Sequence, residues 1–207
     1  MDLLDNIHIK RIEEILENIG ERVEGNLVCD IHPKHYTISR NLDKIKNLRA
    51  ACKGKERICE IGVNACHSLL IMLLENPTAE YLLFDLNNHE YTEPCLEYIK
   101  SAFPDTVIRA VYGNSVETIN TYICEHRDEL HTYDLCHIDG GHTPDIFVVD
   151  YHNIKSLSKV GSPVIFDDYD INDIRDFIHA MVAEKNIIEY KDAALVKNGY
   201  HFIFRYL

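Results

Sequence analysis

The sequence predicts a doubly wound α/β fold whose sheet is mostly parallel and ends in an antiparallel strand. From residue 57 onward, the short apolar runs "RICEIG", "YLLFDL", "VIRAVYG", "YDLCHID" and "SPVIFDD" alternate with the helical patterns "HSLLIMLLE", "YTEPCLEYIKSAF", "SVETINTYICEH" and "PDIFVVDYHNIKSLSK". Alternation at this spacing implies right-handed crossovers between parallel strands, with helices on both faces. At the C-terminus "NIIEYKDAA" and "YHFIFRYL" are separated only by "LVKNG", which is too short for a helical crossover and suits a hairpin or tight antiparallel return.

Ahead of this alternation, Ile12, Ile15, Leu16 and Ile19 recur at helical spacing with Gly20 as a stop, so a helix is expected over residues 2–19. The irregular "VEGNLVCDIHPKHYTISR" follows, then a second helical segment, "NLDKIKNLRAAC". Residues 1–52 thus read as an N-terminal helical extension packed on a core of residues 57–207, and the 207-residue chain reads as a single domain. His32 and His35 are expected to pack or face water, and the basic stretch from Lys44 to Lys55 to be a solvated helix face and loop.

The 46% hydrophobic content is ordinary for a globular chain, and no apolar run approaches the roughly 20 residues of a membrane helix. The N-terminus interleaves acids with Leu and Ile and shows no secretory signal. Seven cysteines (Cys29, Cys52, Cys59, Cys66, Cys95, Cys124 and Cys136) are odd in number and form no CxxC pair, as expected of buried thiols in a cytoplasmic protein. A net charge of −13 disfavours nucleic acid as a partner, because that affinity comes from Lys and Arg neutralising phosphates. The expected partner is a small-molecule acceptor; a homo-oligomer is compatible with the sequence and not specified by it.

In such a sheet ligands bind beyond the carboxyl ends of the strands, so strand-ending residues carry the chemistry. Here these are Glu60 and Gly62, then Asp85, then Gly113, Asn114 and Ser115, then Asp139 to His142, and last Asp167 and Asp168. A dinucleotide turn needs G-x-G-x-x-G, yet the positions corresponding to the second and third glycines hold Asn64 and His67. What survives is one glycine and a strand-ending acid, Glu60, that would repel a diphosphate and welcome an ammonium. Asp85 fits the carboxylate that accepts both hydroxyls of a ribose. A cationic nucleoside without phosphate is implied, and S-adenosylmethionine is one.

The stretches "EIGVNACHS" (60–68), "FDLNNHEYTEPCLEYIK" (84–100), "GNS" (113–115), "DLCHIDGGH" (134–142) and "VIFDDYD" (164–170) resemble, in order and spacing, those of class I S-adenosylmethionine-dependent methyltransferases with a Rossmann-like sheet. The resemblance implies that Glu60 and Gly62 line the methionine part of the cofactor with Asn64 and Ser68 beside it, that Asp85 binds ribose, that Asn114 and Ser115 border adenine, and that Asp139 also contacts the cofactor. Cys66 departs from the family's second glycine, and the expectation is that the turn does not need left-handed backbone there.

Three carboxylates on neighbouring strand ends, Asp139, Asp167 and Asp168, call for a neutralising cation, and hard oxygen ligands suit Mg²⁺ or another divalent ion. They resemble the metal set of catechol-type O-methyltransferases. His142 lies where those families put a general base. His137, inside a strand, is expected to be a hydrogen-bonded core residue and Tyr169 a pocket wall. The function implied is methylation of a small-molecule hydroxyl; a methyltransferase-like interaction module without activity is the alternative, and a nicotinamide oxidoreductase is disfavoured by the missing glycines.

Overall fold

The strands run β1 (Arg57–Ile61), β2 (Glu80–Asp85), β3 (Ile108–Tyr112), β4 (Leu135–Ile138), β5 (Val164–Phe166), β6 (Ile187–Glu189) and β7 (Phe202–Tyr206), in a computed structural model that describes residues 5–24 and 38–207. They form one sheet in the order β3-β2-β1-β4-β5-β7-β6. β1 to β5 are parallel, and β7 inserts antiparallel between β5 and β6. The strand order reverses at β1, which lies between β2 and β4, and a crevice opens at such a reversal above the carboxyl ends.

Around the sheet lie α1 (Ile7–Ile19), α2 (Ile38–Cys52), α3 (His67–Glu75), α4 (Thr92–Ala102), α5 (Ser115–Glu125), α6 (Pro144–Leu157) and α7 (Asn172–Ala183). α1 starts at Ile7, where the Asn6 side chain caps the backbone N–H groups of His8 and Ile9. It stops at Gly20, whose left-handed backbone returns its N–H to Leu16. Ile9, Ile12 and Leu16 form its buried stripe. α7 was not anticipated from the sequence, although Ile174, Phe177, Ile178 and Met181 have the spacing of an apolar helix face; Ile174 and Ile178 are buried.

The expected C-terminal antiparallel return is present, but β6 is only three residues long and residues 190–201 connect it to β7. Tyr190 continues the ladder by donating to the Ile203 carbonyl at 2.9 Å, and side chains satisfy much of the rest of this connection's backbone. The Asp192 carboxylate accepts from Ala194 N–H at 2.8 Å, and the Asn198 side chain accepts from the N–H groups of Tyr200 and His201 at 2.8 and 2.7 Å. Asn47 of α2 imitates a strand, donating to the Val196 carbonyl at 2.9 Å and accepting from its N–H at 2.7 Å.

Alternation along the strands feeds two cores. Ile58, Leu135, Ile165 and Ile203 join the cluster under α1 to α4, whereas Cys59, Ile61, Cys136, Ile138, Val164, Phe166 and Phe204 join the one under α5 to α7. With a period of two, Glu60, His137, Asp167 and His201 all turn toward the face covered by α1 to α4. The described cysteines are free thiols, all buried except Cys124, and Cys29 lies outside the described residues. Among the described residues no helix is long and apolar enough to cross a membrane.

Candidate active site

The turn after β1 is tightly wound: Gly62, Asn64 and Cys66 have φ of 85°, 50° and 64°. At Gly62 the requirement is steric as well, because a Cβ there would come 1.8 Å from the Asp139 carbonyl oxygen. Glycine at this position lets the β1 turn lie against the end of β4. The expectation that Cys66 avoids left-handed backbone is overturned by its φ of 64°. The side chain is nonetheless accommodated, because Cys66 is fully buried in the cluster that also holds Leu69, Leu70 and Cys95. Burial pushes its thiol well above the usual range, so it is inert as a nucleophile. Ser68 follows in the first turn of α3 and is almost completely buried.

Asp85 holds this turn in place. Its Oδ2 accepts from the N–H groups of Val63 and Asn64 at 2.7 and 2.9 Å, and its Oδ1 accepts from Asn87 N–H at 2.7 Å. A carboxylate has about four acceptor positions, so one position, on Oδ1, stays available. The Asn64 amide donates to the Glu24 carbonyl. Glu21 clamps the β2–α4 loop, accepting from Glu90 N–H at 2.7 Å with His89 Nδ1 also at 2.7 Å. Residues 21–24 therefore lie alongside the Asp85 edge. Asn114 caps α5 by accepting from Val116 N–H at 3.1 Å, and Ser115 opens that helix. His32 and His35 lie outside the described residues.

The expected metal set is divided. Among the described residues, Asp139, His142 and Asp168 bring one donor atom each within 4.8 Å of one another, and Asp167 is not in that group. It turns instead under α2, where its Oδ2 forms an ion pair with Lys44 and lies 3.6 Å from His201 Nε2 and 3.9 Å from His137 Nε2. The physical reason is strand parity: Asp167 continues the Ile165 side of β5, whereas Asp168 leaves the strand with a left-handed φ of 54°. Glu60 is equally buried, its Oε1 2.9 Å from His137 Nδ1 and its Oε2 without a partner. His137 is therefore a hydrogen-bonded interior residue, as expected, though it sits in a network of charges.

His142 projects to solvent and pairs through Nε2 with Asp168 Oδ2 at 2.7 Å. That bond raises the imidazole above its ordinary range, against partial desolvation. Burial pushes the Asp139 carboxyl well up, reinforced by Asp167 and opposed by Lys44. At Asp167 burial acts in the same upward direction, but His201, Lys44 and His137 outweigh it and hold the carboxylate ionised. Lys44 was expected in solvent; instead its side chain is only 14% exposed. It stays protonated because Asp167, Asp139 and Asp168 overcome its desolvation. Its spacing of three from Asn47 and four from Leu48, both buried, was the available signal. His201 gave no local signal, since only its pairing with β5 brings it to Asp167.

Residues 59–169, more than half of the chain, match a family model described as a methyltransferase domain. The chain belongs to this methyltransferase family. No curated protein matches the methyltransferase in sequence. Similar solved structures include the O-methyltransferase TomG from Streptomyces achromogenes, involved in tomaymycin synthesis and crystallised with SAM, at 16% identity over 98% of this chain and 90% of that one, with a TM-score of 0.65. An O-methyltransferase from Bacillus cereus in complex with SAH is 17% identical over 96% and 90% of the two chains, with a TM-score of 0.65. Cofactor-bound Rv0187 from MTB is 12% identical over 98% and 90%, with a TM-score of 0.67. At these identities the likeness is one of fold, and it places the methyltransferase in the Rossmann-like arrangement expected from its strand order.

Proposed function

We propose that this methyltransferase takes its methyl group from S-adenosylmethionine and transfers it to a hydroxyl of a small-molecule acceptor. The observation that carries the reading is the His142–Asp168 pair at 2.7 Å on the carboxyl edge, next to a turn whose residues suit a nucleoside cofactor lacking phosphate. TomG and the B. cereus protein are O-methyltransferases crystallised with SAM and SAH, which supports both cofactor and reaction. The remaining acceptor position of Asp85 would take a ribose hydroxyl, and the unpartnered Oε2 of Glu60 the cofactor's ammonium. Gly62, Asn64, Ser68, Asn114, Ser115 and Asp139 would line the remainder. Residues 1–207 are taken as one cytoplasmic domain.

The chemistry is in-line displacement at the sulfonium methyl by the acceptor oxygen, with positioning supplying much of the rate. Asp168 accepts the proton on His142 Nε2, which fixes the tautomer and leaves the Nδ1 lone pair to take the hydroxyl proton. The residues at this edge do not fit the expected Mg²⁺ set. Asp167 turns away from this edge, toward His137 and His201, and the group that does converge with Asp139 and Asp168 includes His142, the base itself. Lys44 supplies the positive charge that the cluster of acids requires. Radiolabelled methyl transfer to a panel of hydroxyl-bearing small molecules should proceed without added Mg²⁺ and fall about 10²–10⁴-fold in His142→Ala. A strict Mg²⁺ requirement would return a metal to this edge, and cofactor binding without transfer to any acceptor would favour a non-catalytic binding module.

A further inference from the structure

We propose that His137, Asp167 and His201 form a buried binding site for a divalent transition-metal ion of borderline softness, with Zn²⁺ as the type, set beneath the methyl-transfer edge and distinct from Asp139, His142 and Asp168. The three residues come from adjacent strands. His137 lies in β4, Asp167 directly follows β5 and His201 directly precedes β7. Phe166 pairs with Phe202, so the antiparallel register carries Asp167 to the position opposite His201. All three point to the α1–α4 face, and their side chains are completely buried.

Their donor atoms converge within 4.8 Å of one another. His137 Nε2 and His201 Nε2 lack hydrogen-bond partners, although buried polar groups in proteins are almost always paired, and both face the Asp167 Oδ2 that Lys44 neutralises. Tetrahedral coordination at about 2.0–2.1 Å puts ligand atoms roughly 3.4 Å apart. Separations of 3.6 and 3.9 Å from Asp167 Oδ2 to the two imidazoles need only a slight inward movement. On its other side His137 presents Nδ1 to Glu60 at 2.9 Å, the carboxylate–imidazole relation that fixes a ligating histidine's tautomer and directs Nε2 to a metal. Two imidazoles and one carboxylate select Zn²⁺ or a neighbouring transition ion over Mg²⁺ or Ca²⁺, which prefer oxygen. A divalent ion with neutral imidazoles would also offset the Asp167 charge once Lys44 turns away. An open cavity of about 650 Å³ has His201 in its wall.

Lys44 is the competitor, because its ammonium pairs with the same Asp167 oxygen. On metal binding it would turn to Asp139 and Asp168, whose charges already act on it. The ion would join three neighbouring strands and, through Glu60, a fourth.

The test is titration of the metal-stripped full-length protein with Co²⁺, read by its visible d–d absorption, alongside elemental analysis for Zn²⁺ after dialysis. One equivalent should bind, without the near-ultraviolet charge-transfer band of a thiolate ligand. Binding should be lost in His201→Ala and persist in His142→Ala. Lys44→Met should bind about tenfold tighter, because it removes a like charge beside the ion; this arm does not depend on His201→Ala folding. Absence of Co²⁺ or Zn²⁺ binding would overturn the proposal. So would binding that survives His201→Ala but not His142→Ala, or binding that Lys44→Met leaves unchanged.

Discussion

Cys66 carries a side chain in a backbone region that costs an L-residue about 1–2 kcal/mol, with φ of 64° in the turn that opens α3. Alanine retains this cost and glycine removes it. Cys66→Gly should therefore melt no lower than Cys66→Ala, against the usual preference for Ala by about 0.5–1 kcal/mol inside elements; thermal unfolding of the two variants checks this. His142 offers a second test at the same scale. Its bond to Asp168 raises its pKa, so the pair's stabilisation is complete below the unfolded value of about 6.5 and is lost as pH rises through the higher folded value. An NMR titration should place His142 above about 6.5 and return it toward that value in Asp168→Asn. The strand-ending acids were legible in the sequence because each closes an apolar run. Their partners were not, since Lys44 and His201 reach Asp167 from α2 and β7 through tertiary packing.

At the level of elements, β1 to β5 and α3 to α6 were readable to within a residue or two, because apolar periodicity and turn residues mark them locally. The connection over residues 190–201 was not, because its stability is borrowed from α2. Asn47, 1% exposed, makes both of its contacts to the Val196 backbone, a pairing no local pattern announces. Replacing it with Ala leaves a donor and an acceptor of Val196 unpaired, so Asn47→Ala should cost about 1.5–3 kcal/mol in urea denaturation. It should also loosen the position of Lys44 one turn earlier. A cost below about 0.5 kcal/mol would show that α2 is held by its apolar face alone.

For the whole molecule, one buried group should leave a mark on stability against pH. Burial pushes Asp150 of α6 up to about 6, against the pull of Ser115. Below the unfolded value of about 3.9 this shift has no effect. Between that value and about 6 the folded state holds a proton the unfolded state has released, so stability falls as pH rises, by up to about 3 kcal/mol. The difference in stability between Asp150→Asn and the parent should grow over the same window and then level off; a pH-independent difference would refute the assignment. The same architecture gathers the strand ends into the proposed catalytic edge, and the cofactor is the premise on which the rest of the functional account depends. Calorimetric titration with S-adenosylhomocysteine tests it most directly. The account predicts binding of S-adenosylhomocysteine, no binding of NAD⁺, and a loss of about 1.5–3 kcal/mol in a folded Asp85→Ala variant. Absence of S-adenosylhomocysteine binding, or an unchanged affinity in Asp85→Ala, would contradict it.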